Sequence, residues 1–213
     1  MFSTNTSTIG EESTEAASPA STIQNSIALK YLCDNFPANK RYNILDLGPA
    51  YGENIAFFSE FARKIYIEDL RDTLCTHDFL SGVAETGGEI RLNVGDTLTA
   101  YPADTRFDLI FAWDLFNYLE REPLQQVIAW LSKFCKTGTL IFSLISTRVQ
   151  ISQHPLTFKI LDKDRLLYGS SSALERPHPR YREVALLKLM PHFKTQKSFL
   201  LRNGMQEYLF IHQ

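Results

Sequence analysis

The chain has 213 residues, of which 44% are hydrophobic and 22% charged, and a formal net charge of −2. This length and apolar content suit one domain with a full core, and the near-neutral charge gives no general attraction to polyanions, so nucleic acid is disfavoured as a partner. Cys33, Cys75 and Cys135 are widely spaced and form no C-x-x-C pair, which argues against a disulfide framework and against a metal site. The chain does not open on a basic region followed by an apolar run, and no stretch approaches the roughly 18 apolar residues of a membrane span. A cytoplasmic protein without membrane contact is expected.

Residues 1–21 are rich in Ser, Thr and Ala, with Glu11, Glu12 and Glu15 and almost no large apolar groups. Such a segment cannot offset its own ordering entropy and is expected to be a disordered tail, with residues 22–213 forming the domain. Ser21 or Thr22 is placed to cap a helix running to about Asn35, whose stripe of Ile23, Ile27, Leu29, Tyr31 and Leu32 would cover a sheet. Pro37 ends it. The run Arg41 to Phe58 then reads as a buried strand, a turn bracketed by Gly48 and Gly52, and the start of a helix. Asp46 interrupts the apolar strand at its carboxyl end, where a carboxylate is hard to desolvate unless it faces a crevice. The glycines are expected to permit positive φ and close approach of a ligand.

The two glycines are four apart with Ala50 between them, which does not satisfy the G-x-G-x-x-G of a dinucleotide fold. D-x-G-x-x-x-G instead resembles motif I of the class I S-adenosylmethionine (SAM) dependent methyltransferases. The resemblance implies SAM as cofactor, with the turn from Gly48 through Ala50 to Gly52 wrapping its amino acid portion and Asp46 helping to hold its ammonium. Ala50 stands where that family usually has its middle glycine. The implied fold is a seven-stranded, mostly parallel α/β sheet with helices on both faces and an antiparallel hairpin at the carboxyl end.

The second β-like run, Arg63 to Leu70, ends in Glu68 and Asp69. Asp69 lies 17 residues beyond Gly52, the interval one helix and one strand consume, which returns a carboxylate to the glycine turn where it could accept both ribose hydroxyls. Successive strand side chains face opposite ways, so only one of the two acids should point there, and Asp69 is favoured over Glu68. A helix over 72–86 and a strand over 89–94 are expected next, followed by G-D-T-L; its resemblance to the turn after the family's third strand implies that Asp96, with Thr97 beside it, meets the adenine.

Residues 105–113 form a strongly apolar strand ending at Asp114 and followed by L-F-N-Y-L-E. In the resembling family this strand ends at the chemistry, which implies Trp113 and Asp114 near the cofactor's methyl group and Asn117 and Tyr118 near the substrate. Aromatic faces and a carboxylate suit a sulfonium, although core packing accounts equally well for Trp113 and Phe116. A helix over 124–135 and a strand over 139–146 follow. Residues 147–190 exceed a simple crossover and are expected to be an insertion over the carboxyl edge that covers the substrate. The stretch 148–182 holds seven Lys or Arg against three acids, which points to an anionic acceptor or to ordinary solvated surface. Two β-like runs, 193–201 and 205–212, are joined through Arg202-Asn203-Gly204, a hairpin signal expected to place both Asn203 and Gly204 at positive φ.

The reading with most support is thus methyl transfer from SAM to a small-molecule acceptor. The alternative is a methyltransferase-like binding or scaffold protein without turnover. No catalytic residue is singled out; His154, His178, His192 or Tyr118 could serve as base if the acceptor is a hydroxyl. Neither the (D/N)-P-P-Y of amino-group nucleic-acid methylases nor a Pro-Cys nucleophile is present.

Overall fold

The computed structural model describes residues 21–37, 39–74, 98–170 and 172–213. Its frame is a sheet of six strands among the described residues, in the order β10-β11-β5-β4-β2-β3. Strands β2 (Tyr42–Asp46), β3 (Ala62–Ile67), β4 (Leu109–Trp113) and β5 (Leu140–Ser146) pair in parallel. β11 (Met205–His212) joins β5 antiparallel, and β10 (Phe193–Leu200) joins β11 in the same sense. The strand expected over 89–94, which would make seven, lies outside the described residues.

Strand alternation sorts the buried side chains into two layers. Leu45, Ile110, Ala112, Ile141 and Ile145 face α3 (Leu70–Leu74), α4 (Arg121–Lys133) and α5 (Glu183–Leu189). Ile44, Leu109, Phe111, Phe142 and Leu144 face α1 (Ile27–Asp34) and α2 (Gly52–Ser59). Asp46 and Trp113 stand two residues beyond Ile44 and Phe111, and Trp113 packs in this second layer.

Three sequence expectations change. The segment Ser21–Asn25 is not helical: it forms β1 and pairs antiparallel with β8 (Arg165–Gly169). The helix begins only at Ile27, where the Ser26 hydroxyl accepts from the Leu29 amide at 3.1 Å and supplies the N-cap. At the hairpin only Gly204 takes positive φ, +83°, so the two-residue primed turn is not formed. Gly204 N–H donates to Leu201 O and Asn203 Oδ1 accepts from Met205 N–H, a longer loop closed by a glycine. The glycine turn departs too, because neither Gly48 nor Gly52 has a positive φ.

The stretch between β5 and α5 contributes short antiparallel pieces. β7 (Thr157–Ile160) and β8 form a three-stranded sheet with β1, while β6 (Gln150–Ser152) pairs with β9 (Glu175–Pro177). This strap is fastened across the carboxyl edge of the main sheet. Asn54 of α2, buried, donates to Phe158 O at 3.0 Å and accepts from Ile160 N–H at 2.8 Å. Lys159 pairs with Glu53 in the exposed layer above, a contact worth little by comparison.

Asn54→Ala would strand the Phe158 carbonyl and the Ile160 amide, at about 1–3 kcal/mol for each buried group left unpaired. Urea denaturation is therefore expected to show a loss of about 2–6 kcal/mol, with limited proteolysis cutting first within residues 150–177. A loss below about 1 kcal/mol would mean that the strap is held elsewhere.

Candidate functional site

The carboxyl ends of β2, β3 and β4 meet at Asp46. Its carboxylate is 2% exposed and accepts from the Gly48 amide at 2.9 Å and from the Trp113 indole Nε1–H at 2.6 Å. Two backbone features aim the indole. A bulge shifts the β4–β5 register between Phe111 and Trp113, and Trp113 itself lies at φ +49°, a conformation rare for a bulky side chain. The ring stacks on Phe158 of the strap, centroids 5.5 Å apart and 3° from coplanar, and packs against Phe111 and Phe142. A Cβ added to Gly48 would meet Trp113 Cδ1 and Nε1 at 3.0 Å. Gly48 thus packs tightly against the protein's own indole, while Gly52 faces open space and Ala50 is exposed.

Burial pushes the Asp46 carboxyl up to about 6, with the bonds from Trp113 and Gly48 and the Asn54 side chain opposing and the neighbouring Asp69 charge assisting. Asp69 therefore lies within electrostatic reach of Asp46, and its Oδ1 accepts from the Arg71 amide at 3.2 Å. Glu68 instead accepts from the Tyr101 hydroxyl at 3.0 Å, among the aromatic rings of the opposite layer. Asp96 and Thr97 lie outside the described residues.

Asp114, the residue after β4, is 2% exposed. Its Oδ2 accepts from the Leu156 amide of the strap at 2.9 Å, while Oδ1 has no hydrogen-bond partner among the described residues. Burial pushes this carboxyl up to about 7, against the Leu156 bond and the charge of Arg71. Arg71 Nη1 donates to Leu156 O, so both groups brace the same strap residue. Asn117 and Tyr118 also bind backbone. The Asn117 amide donates to Asp114 O and Leu144 O and accepts from Ser146 N–H; the Tyr118 hydroxyl lies at 3.2 Å from Ser152 O and 2.9 Å from His154 O.

These residues floor a cavity of about 290 Å³ between the ends of β4, β5 and β11 and the strap, with Asp114, Tyr118, Ser146, Tyr168 and Met205 on its inner walls. Tyr168, buried, keeps its hydroxyl without a partner at hydrogen-bonding geometry, although the Asn203 side chain is near enough to act on it. An unpaired buried polar group costs about 1–3 kcal/mol, and both of these oxygens, Asp114 Oδ1 and the Tyr168 hydroxyl, are closed off from the cavity. None of Asp46, Gly48, Gly52 or Asp69 lines this cavity.

Two of these residues had no sequence signal. Glu207, fully buried on β11, accepts from the Ala28 amide at 2.8 Å and anchors the amino end of α1; burial raises its carboxyl against bonds from Ser26, Ala28 and Ile27. Asn54 looked like an ordinary helix residue. Among the candidate bases, His178 meets Arg148 O at 2.9 Å and is lowered by burial, and no histidine lines the cavity. The Cys33 and Cys135 thiols, pushed by burial up to about 11 and about 12, stay protonated and unreactive. No group of three or more His, Cys, Asp or Glu among the described residues is placed to hold a metal ion. No helix among them is long and apolar enough to cross a membrane.

No family model matches the chain, and no curated protein matches it. Solved structures do. An S-adenosylmethionine-dependent methyltransferase from Clostridium acetobutylicum is 12% identical over 87% of this chain and 89% of its own, with a TM-score of 0.46. The glycopeptide N-methyltransferase MtfA, complexed with SAM, is 10% identical over 88% and 93%, with a TM-score of 0.49. The 1,6-didemethyltoxoflavin-N1-methyltransferase of Burkholderia thailandensis, with S-adenosylhomocysteine bound, is 16% identical over 88% and 77%, with a TM-score of 0.46.

The raised carboxyls fix a pH dependence. Asp46, Asp114 and Glu207 hold their protons more tightly folded than unfolded, so they favour the fold below about pH 4 and lose that contribution as pH rises through about 6 and about 7. His178 and His212, lowered by burial, act in the opposite sense, but their shifts are the smaller. The urea midpoint is expected to fall between about pH 5 and about pH 8, and to fall less in Asp114→Asn. A midpoint that rises over this range would contradict the burial of these acids.

Proposed function

We propose that this chain is a methyltransferase-like ligand-binding protein that does not turn over SAM. The observation that carries the proposal is the seat of Trp113. A turn that wraps the amino acid portion of SAM must offer it the open face of Gly48. Here the indole covers that glycine, and its N–H and the Gly48 amide both donate to Asp46 Oδ1. On this reading the cofactor's amino acid half has no open face at Gly48 to lie against, and Asn54 holds Phe158 stacked over the ring that closes it. The ligand site that remains is the cavity beside Asp114.

The second reading keeps methyl transfer from SAM to a small acceptor. It is favoured by the nearness of Asp69 to Asp46, by the open space before Gly52, and by the left-handed φ of Trp113, a strained conformation of the kind that collects at working sites. It requires the ring to leave Gly48, giving up the Asp46 bond and the stacking on Phe158, together about 2–4 kcal/mol.

Calorimetry with SAM decides between them. The wild-type chain is expected to give no binding heat up to roughly millimolar SAM. Trp113→Gly, which suits the positive φ and uncovers Gly48, is expected to bind if the turn otherwise retains its shape. Micromolar binding by the wild type would falsify the proposal and restore the enzyme.

A further inference from the structure

The amino ends of β2, β3, β4 and β5 meet in a recess of about 420 Å³, on the edge of the sheet opposite Asp46 and Asp114. Lys40, Arg41, Arg63 and Lys136 line it, and Asp108 is the one acid among its lining residues. The chain as a whole carries a formal net charge of −2, so this surplus of cations is local and composition does not account for it.

The geometry ties two of the cations to one point. Asp108, its side chain 9% exposed, accepts from the Asn43 amide at 2.8 Å through Oδ2, while its Oδ1 meets the Lys136 ammonium at 2.8 Å and the Lys40 ammonium at 3.6 Å. Burial opposes the charge on this carboxylate, but the bonds from Lys136 and Asn43 outweigh it and hold the carboxyl below its usual value. One negative charge is thus divided between two ammoniums. Each ammonium has three donors and keeps some of them to give, and the two lysine side chains are about half exposed, 52% and 47%, so an incoming anion can reach them. Arg41 spends Nη1 on the Glu60 carbonyl at 2.5 Å, which fixes the guanidinium without neutralising it. Arg63 is exposed and pairs with no acid among the described residues.

The cluster is also held in place. Lys136 N–H donates to Thr139 Oγ1 at 2.9 Å, that hydroxyl donates to Phe107 O at 2.6 Å, and Gly138 turns the chain at φ +91°. The Lys40 ammonium lies 4.8 Å from the centroid of the Tyr42 ring. Like charges kept this close repel, and an anion with more than one charge relieves them by bridging. A monocarboxylate would offset only part of the surplus. A nucleic acid needs a basic track longer than a recess of this size, and the chain's overall charge does not attract polyanions.

We infer that this recess binds a small, multiply charged phosphate anion, with the Lys40 and Lys136 ammoniums bridging its oxygens while they keep Asp108, and with Arg41 and Arg63 flanking it. The site is separate from the Asp114 cavity and from the glycine turn, and it does not depend on what either of them takes.

The test titrates the full chain with pyrophosphate, ADP and acetate at one low ionic strength, followed by calorimetry. Pyrophosphate is expected to bind saturably at one site per chain, with acetate at least about tenfold weaker, as loss of charge-assisted hydrogen bonds requires. ADP carries the same diphosphate on a nucleoside: weaker binding than pyrophosphate assigns the site to a free anion, and equal or tighter binding to a phosphorylated small molecule. Lys136→Gln is expected to weaken pyrophosphate binding by about tenfold or more and Arg63→Gln by about threefold to tenfold. Lys188→Gln, on the exposed side of α5 and outside the recess, is expected to leave it unchanged. The inference is overturned if pyrophosphate does not bind up to roughly millimolar concentration, if acetate binds as well, if Lys136→Gln and Arg63→Gln both keep wild-type affinity, or if Lys188→Gln loses as much as they do. Displacement of pyrophosphate by a DNA duplex of about 20 base pairs at lower concentration would overturn it too, in favour of nucleic acid. Should Lys136→Gln fail to fold, Arg63→Gln and the probe series carry the test.

Discussion

The hydrogen bond from the Trp113 indole to Asp46, 2.6 Å long, is the contact on which the carboxyl edge of the sheet depends. Asp46 is a buried carboxylate that must find donors, and desolvation alone would drive it to the neutral form. The fold gives it one donor from its own turn, the Gly48 amide, and one from the next strand in the sheet. To bring the second donor into reach, β4 accepts a bulge and a left-handed tryptophan. The ring that arrives then needs a cover, and Phe158 supplies it. Glycine at 48, the bulge, the strained φ and the strap are thus successive consequences of satisfying a single acid.

This chain of dependence explains how much could be read from the residues in advance. The parallel core was legible because Ile44, Leu45 and Leu47, and again Leu109 to Trp113, are continuous apolar runs of strand length, and both faces of the sheet are indeed covered by helices. The hairpin was legible from Asn203-Gly204, yet its turn type was not, because the Asn203 side chain is committed to Met205 N–H. The start of α1 departs from the sequence pattern for a related reason. Ile23 and Ile27 carry a helical stripe, but both are exposed, and pairing of residues 21–25 with β8 outweighs local propensity.

At the site, the spacing of Asp46, Gly48 and Gly52 identifies a tight strand-to-helix turn, but a motif records only which backbone can be approached closely, not what approaches it. At Gly48 the approaching group is a side chain 65 residues further along, in Trp113. Among the residues that fasten the strap, Asn54 looked like a helix polar residue, and Asp114 drew attention as a strand-end acid near a cofactor and not as an anchor for a strap amide. Their partners are backbone atoms of a segment whose own sequence has no strong periodicity.

The same strap that covers the glycine turn builds the cavity. β7 lies toward α2 through Asn54, and β8 continues the same small sheet to β1. The strap's return brings Gln150–Ser152 and residues 172–175 over the ends of β5 and β11. Covering one end of the crevice and walling the other therefore fall to the same segment. Asp114 sits at the junction: Oδ2 holds the strap down through Leu156, and Oδ1, buried, has no hydrogen-bond partner among the described residues. A carboxylate used only to anchor a strap could be replaced by an asparagine without leaving an unpaired charge buried. An acid here meets the same burial by holding its proton, so below about pH 7 the strap is fastened by a neutral carboxyl, and ionisation above it leaves a desolvated charge with a single backbone donor.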